Sequence, residues 1–203
     1  MRITYHVCDA CKTSFLDEAF RKDPSSYYTK EYEAWFYRNR DDRIPILHAF
    51  SDATARVFLL SFLRPLNGLS VLDVGCGYAG TLALLRRLGA QTTGVEPSEG
   101  CATFDHEVLG LDVTRGFLET FQPGRRFGLV TLFDVIEHVE DPLAPLRAAH
   151  SLLEDDGLLF FTTPHNKRAA QSVIFQQSHV LLFSLHSIQK ILTQAGFTIR
   201  KLF

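Results

Sequence analysis

Residues 69–97, Leu-Ser-Val-Leu-Asp-Val-Gly-Cys-Gly-Tyr-Ala-Gly-Thr-Leu-Ala-Leu-Leu-Arg-Arg-Leu-Gly-Ala-Gln-Thr-Thr-Gly-Val-Glu-Pro, constrain this chain more than any other stretch. They read as strand, glycine turn, helix, strand, acid. Leu69 to Val74 is a short apolar run that suits a strand buried on both faces. Gly75, Gly77 and Gly80 follow with G-x-G-x-x-G spacing. Those glycines permit a tight turn, a close backbone approach to a ligand and close packing of helix on strand. Thr81 to Leu88 supplies the helix, with Leu82, Leu85 and Leu88 on one face and Gly89 as its stop. Gln91 to Val95 is the second strand, ended by Glu96, where an acid accepts both hydroxyls of an adenosine ribose. A packing-only βαβ unit shares the glycine spacing. The acid and its setting argue instead for a nucleoside-containing cofactor, nicotinamide and flavin dinucleotides included.

Asp73 stands two positions ahead of the first glycine, and Val71-Leu-Asp-Val-Gly-Cys-Gly77 resembles the first motif of class I S-adenosylmethionine-dependent methyltransferases. The resemblance implies S-adenosylmethionine as cofactor and S-adenosylhomocysteine as product. It places the methionyl amino group near Asp73, usually through water, and the ribose on Glu96. The cofactor set it implies is Asp73, Gly75, Cys76, Gly77, Gly80, Glu96, Pro97, Phe117, Leu118 and Phe133, with Tyr28 and Tyr32 as lid residues. One position departs from the pattern. Related methyltransferases commonly carry Gly-Asp where this chain has Gly116-Phe117, and a phenylalanine can stack on adenine but cannot accept its amino hydrogen bond.

Phe127 to Phe133 reads as a further strand, ending at Asp134-Val-Ile-Glu-His138-Val-Glu-Asp141. Pro142 then opens a helix to Leu153 with Asp141 as its cap, and Asp155-Asp156-Gly157 is expected to turn the chain into a strand over Leu158–Thr163. This run resembles the methyltransferases typified by ubiquinone-biosynthesis O-methyltransferases, so the two resemblances together span about residues 69–165. They imply a small-molecule methyl acceptor, with oxygen favoured over nitrogen or carbon. A non-catalytic cofactor-binding partner protein is the alternative, and a dinucleotide-dependent oxidoreductase a more distant one.

Methyl transfer from a sulfonium is an in-line displacement, so alignment does most of the work and a base is needed only if the acceptor must lose a proton. His138 is the candidate catalytic residue, because imidazole titrates near neutrality and this position follows a strand at the ligand-binding edge of an open α/β sheet. A histidine that only braces its loop is the plainer reading. Ubiquinone O-methyltransferases and small-RNA 2′-O-methyltransferases hold a divalent cation through Glu-x-x-Glu-His here. That resemblance would enlist Asp134, Glu137, His138 and a remote His179, although the site as assigned carries no metal.

The expected fold is a three-layer αβα Rossmann-like methyltransferase domain over residues 46–203, with a mostly parallel sheet of six or seven strands. Residues 1–45 form an N-terminal extension. It carries Cys8-Asp-Ala-Cys11, half of a zinc-ligand pattern, and an aromatic segment with Tyr28, Tyr32 and Trp35 at helical spacing. Pro45 opens a helix to about Leu63 with Phe50, Ala53, Val57 and Leu60 as its apolar stripe. Ser98 caps a helix towards Val108, Leu111–Thr114 is a strand, and Ser184 caps a helix over Leu185–Ala195. Phe197–Phe203 is expected as the last strand, with Ile3–Val7 available to fill an edge. The net charge of −2 and scattered basic pairs lack the stripe of a nucleic-acid binder. No apolar run approaches a membrane span and no signal-peptide core opens the chain, so the expectation is a cytoplasmic protein with reduced cysteines. The oligomeric state stays open.

Overall fold

The computed structural model describes residues 3–23, 26–27, 43–166 and 178–202; Tyr28, Tyr32 and Trp35 lie outside them. The chain forms two compact units, one of residues 25–132 and 152–160, the other of residues 1–24, 133–151 and 161–203.

The first unit is built on strands β3 (Ser70–Val74), β4 (Gln91–Glu96), β5 (Val113–Arg115), β6 (Phe127–Phe133) and β7 (Leu153–Thr162), in the order β5-β4-β3-β6-β7. β3 runs parallel to β4 and β6, which sets Asp73 opposite Gly94 on one side and Thr131 on the other. β4 runs parallel to β5. All seven residues of β6 are buried, as a central strand covered on both faces requires. Helix α1 (Arg43–Ser61) buries Ala53, Val57 and Leu60. Helix α2 (Gly80–Arg87) buries Leu82 and Leu85, but Leu88 follows its last turn and is exposed rather than continuing the stripe. The third glycine of the motif serves a contact other than helix on strand: a Cβ on Gly80 would stand 2.7 Å from the Ala49 carbonyl oxygen of α1. Ser98 caps α3 (Glu99–Glu107) by accepting the Cys101 amide.

Five strands form this sheet among the described residues, not six or seven. Two expectations account for the difference. Phe197–Leu202 pairs with no strand among the described residues; helix α5 (Leu185–Gln194) ends just before it in a Schellman turn, in which Gly196 takes φ 97° and the Phe197 amide donates to Leu192. The Phe197 ring then stacks edge-on against His150 of helix α4 (Leu143–Leu152). The Ile3–Val7 stretch contributes to a different sheet. Its β1 (Tyr5–Val7) pairs antiparallel with β2 (Ser14–Leu16), which pairs with β8 (Leu181–Leu182). Further along, β7 begins at Leu153, so Asp155-Asp156-Gly157 is strand rather than turn. Side chains of other segments hold its acids: Ser70 donates to Glu154, Arg126 to Asp155 and Arg64 to Asp156.

Candidate active site

The candidate cofactor cradle lies at the carboxyl ends of β3 and β4. Gly75 and Gly77 take φ 65° and 55°, left-handed values that a side chain would strain. The Gly75 amide donates to Val95 at 2.8 Å, which ties the turn to the neighbouring strand. Glu96 completes that tie. Its Oε2 accepts the Gly77 amide and its Oε1 the Ser98 amide, each at 2.8 Å. A carboxylate can only accept, so a ribose hydroxyl that reached Glu96 would donate to it. Among the described residues, no atom outside the turn itself lies within 4 Å of the place where a Cβ on Gly77 would stand.

Asp73 is buried and accepts the Thr131 hydroxyl at 2.7 Å. Burial raises its pKa to about 6, against the lowering effects of Thr131 and Arg56. It therefore carries most of its charge at neutral pH, where it can meet an ammonium group. Pro97 is half-buried and Leu118 buried. Phe117 is 37% exposed. With Thr93, Val95, Asp112, Arg115 and Arg125 it lines a cavity of about 320 Å³, in which no other expected cofactor residue takes part.

Sequence reasoning missed Asp105 of α3. It is fully buried, its Oδ2 lies 3.9 Å from the Cys76 thiol, and its Oδ1 has no hydrogen-bond partner. Burial pushes its pKa to about 8, helped by the charges of Glu96 and Asp73. Burial and the same acids keep the Cys76 thiol protonated. A helical register that turns Asp105 inward with Cys101 and Ala102 was the available signal.

The second unit gathers the acid–histidine residues that follow β6. Phe133 is buried, and Asp134 takes a left-handed φ of 57° with Thr162 donating to its Oδ1 at 3.0 Å. A 3₁₀ turn over Ile136–His138 then carries Glu137 and His138. One ligand atom from each of Glu137, His138 and His179 falls within 4.8 Å of the others. The His138 and His179 ring centroids are 4.9 Å apart. His138 Nδ1 lies 2.6 Å from the Ser178 carbonyl, which can only accept, so Nδ1 carries a ring proton. Burial, with His179 beside it, lowers the His138 pKa to about 4. Burial and the Asp134 charge raise Glu137 to about 8, against the hydroxyl of Thr163 on its Oε2. Glu137 Oε1 is buried without a partner. One carboxylate and two imidazoles, with that orphaned oxygen, fit a divalent cation.

A parallel sheet whose first strand leads into this glycine turn, with the acid at the end of the second, defines the class I S-adenosylmethionine-dependent methyltransferases. A family model described as a methyltransferase domain matches residues 37–202, and the chain belongs to that family. The magnesium protoporphyrin IX methyltransferase of Synechocystis PCC 6803 with bound S-adenosylhomocysteine shares the fold, with a TM-score of 0.65 at 20% identity over 88% of this chain and 89% of that one. A ubiquinone biosynthesis O-methyltransferase of Ruegeria pomeroyi is 37% identical over 106 residues, 49% of this chain and 43% of the relative. The enzyme of that name from Actinobacillus pleuropneumoniae serotype 5b is 30% identical over 145 residues, 64% of this chain and 62% of the relative. The chain thus spans about half the length of such relatives.

Proposed function

We propose that the protein binds S-adenosylmethionine and transfers its methyl group to an oxygen of a small-molecule acceptor. The observation that carries this reading is Glu96, which ends β4 and accepts the Gly77 amide of the glycine turn on one oxygen and the Ser98 amide on the other. Asp73 supplies the charge for the methionyl ammonium. The acceptor oxygen forms the new C–O bond as the S–CH₃ bond breaks, and the leaving thioether is neutral and needs no acid. Likeness to ubiquinone-biosynthesis O-methyltransferases supports oxygen as the nucleophile.

His138 acts in this reading by alignment, bracing the loop that follows β6 through its bond to the Ser178 carbonyl. A pKa near 4 makes it a weak proton acceptor at neutral pH, which favours alignment over general-base catalysis. A second reading is favoured by the orphaned Glu137 oxygen: Glu137, His138 and His179 would hold a divalent cation. When bound, such an ion would orient the acceptor oxygen and lower its pKa.

Incubation with methyl-labelled S-adenosylmethionine and a panel of phenols and catechols tests the proposal. The expected result is S-adenosylhomocysteine released only when an acceptor is present, with label on oxygen. Tight cofactor binding without transfer to any acceptor would move the protein to the binding-partner alternative.

A further inference from the structure

No residue of the β1–β2 hairpin enters the chemistry above, yet its tip is firmly built. The Cys8 amide donates to the Thr13 carbonyl at 2.9 Å and the Lys12 amide to the Cys8 carbonyl at 2.8 Å. Lys12 takes a left-handed φ of 59° directly after the second cysteine, a conformation costly for a residue with a Cβ. The result folds Cys8 and Cys11 onto one another. The Cys11 side chain is hydrogen-bonded to that of Cys8 and to the Thr13 backbone amide, and its sulfur lies 3.3 Å from Thr13 Oγ1. Two side chains from later in the chain brace the turn: Ser184 donates to the Cys11 carbonyl at 2.6 Å, and the Asn166 amide donates to the Lys12 carbonyl. Asp9, Ala10 and Lys12 at the tip are exposed, and both cysteines are free thiols, half-buried.

We propose that this tip is half of a thiolate site for Zn²⁺, completed by the same tip of a second copy of the chain. Paired sulfurs select a thiophilic cation, and zinc in a structural site takes four ligands in a tetrahedron. One chain supplies two. Among the described residues no third histidine, cysteine or acid joins the pair in a ligand cluster, and His6 Nε2 is engaged with Asp17 at 2.7 Å. An exposed tip with two donors meets its own copy about a two-fold axis, which makes four thiolates with no further residue. The bracing hydrogen bonds hold the backbone of the turn that carries both cysteines before the metal arrives. This inference stands apart from the methyl-transfer reading and does not depend on it.

The test measures metal content and mass together on the full chain under reducing conditions. Loaded with zinc and freed of excess, the protein is expected to retain about half an equivalent per chain at the cysteine site and to run as a dimer. Chelation returns it to monomer. Cobalt(II) in place of zinc should give an intense thiolate-to-metal band with tetrahedral d–d absorption. Cys8→Ser and Cys11→Ser each remove the band and the dimer, while Glu137→Gln, which disables the separate acid–histidine cluster, leaves both. The band and mass of the parent chain stand as evidence even if a serine variant folds poorly. A cobalt spectrum without thiolate character, metal-dependent dimers unchanged by both serine substitutions, or one thiolate-bound metal per monomer would overturn the proposal.

Discussion

In the cradle, each oxygen of Glu96 holds a backbone amide and Asp73 holds the Thr131 hydroxyl. In the acid–histidine cluster, one oxygen of Glu137 is buried with no partner, and two imidazoles crowd beside it. Both places are buried and polar, but they store their free energy differently. Glu96 and Asp73 are hydrogen-bonded before a ligand comes, so the geometry of this pair is preorganised. The cluster holds an acid and a base away from water, each shifted towards its neutral form, and only a bound partner would compensate that cost.

The largest expected effect tests the cradle. Glu96→Ala removes the acceptor for two hydroxyls, and hydrogen bonds to charged groups contribute about 1.5–3 kcal/mol each. S-adenosylhomocysteine affinity by calorimetry should fall on the order of a hundredfold or more. Affinity within a few-fold of the parent would show that the ribose is held elsewhere.

Asp105 sharpens the comparison, since it is the cradle's own unsatisfied acid. Its folded pKa of about 8 lies above the ordinary carboxylate value. Such a group contributes its stability at acid pH and loses it as pH rises from about 4 through about 8. Asp105→Leu should therefore flatten the decline in melting temperature over that window and stabilise the protein at pH 8 by about 1–3 kcal/mol, the usual cost of an unsatisfied buried group. An unchanged pH slope would mean that another group sets it.

For the cluster, His138→Gln should reduce turnover about tenfold with no lost inflection in the pH profile, since removing a general base costs a hundredfold or more. A loss of that larger size with a vanished inflection would restore the base. Turnover abolished by EDTA and restored by magnesium, with Glu137→Gln matching His138→Gln, would establish the cation instead.

The smallest effect belongs to Thr131→Val. Losing the hydroxyl raises the Asp73 pKa, so the cofactor should bind about fivefold more weakly at neutral pH. As pH is lowered, binding should fail at a higher pH than in the parent. A weaker affinity with an unmoved pH profile would reduce Thr131 to a packing role.

The sequence exposed most of the first unit because its signals are local: β3, the glycine turn, α2 and Glu96 are consecutive, and β6 matched its expected ends to the residue. What escaped depends on partners distant in the chain. Nothing near Asp155 says that the chain stays extended through Asp155-Asp156-Gly157, where the carboxylates meet arginines from other segments. The small sheet of β1, β2 and β8 joins residues more than 160 positions apart. The depressed basicity of His138 comes from burial beside His179, forty-one positions on, which no spacing rule reveals. Phe117 was legible as a departure, and it is 37% exposed and lines a cavity apart from the other expected cofactor residues.

The central claim is that the cradle takes S-adenosylmethionine, and a melting curve tests it most directly. Ligand at a hundred times its dissociation constant stabilises by about 2.7 kcal/mol, which for a chain of this size is a rise of roughly 5–11 °C. S-adenosylhomocysteine should produce that rise in the parent chain, Glu96→Ala should lose most of it, and NAD should produce none. No rise with either S-adenosylmethionine or S-adenosylhomocysteine, or an equal rise with NAD, would contradict the account.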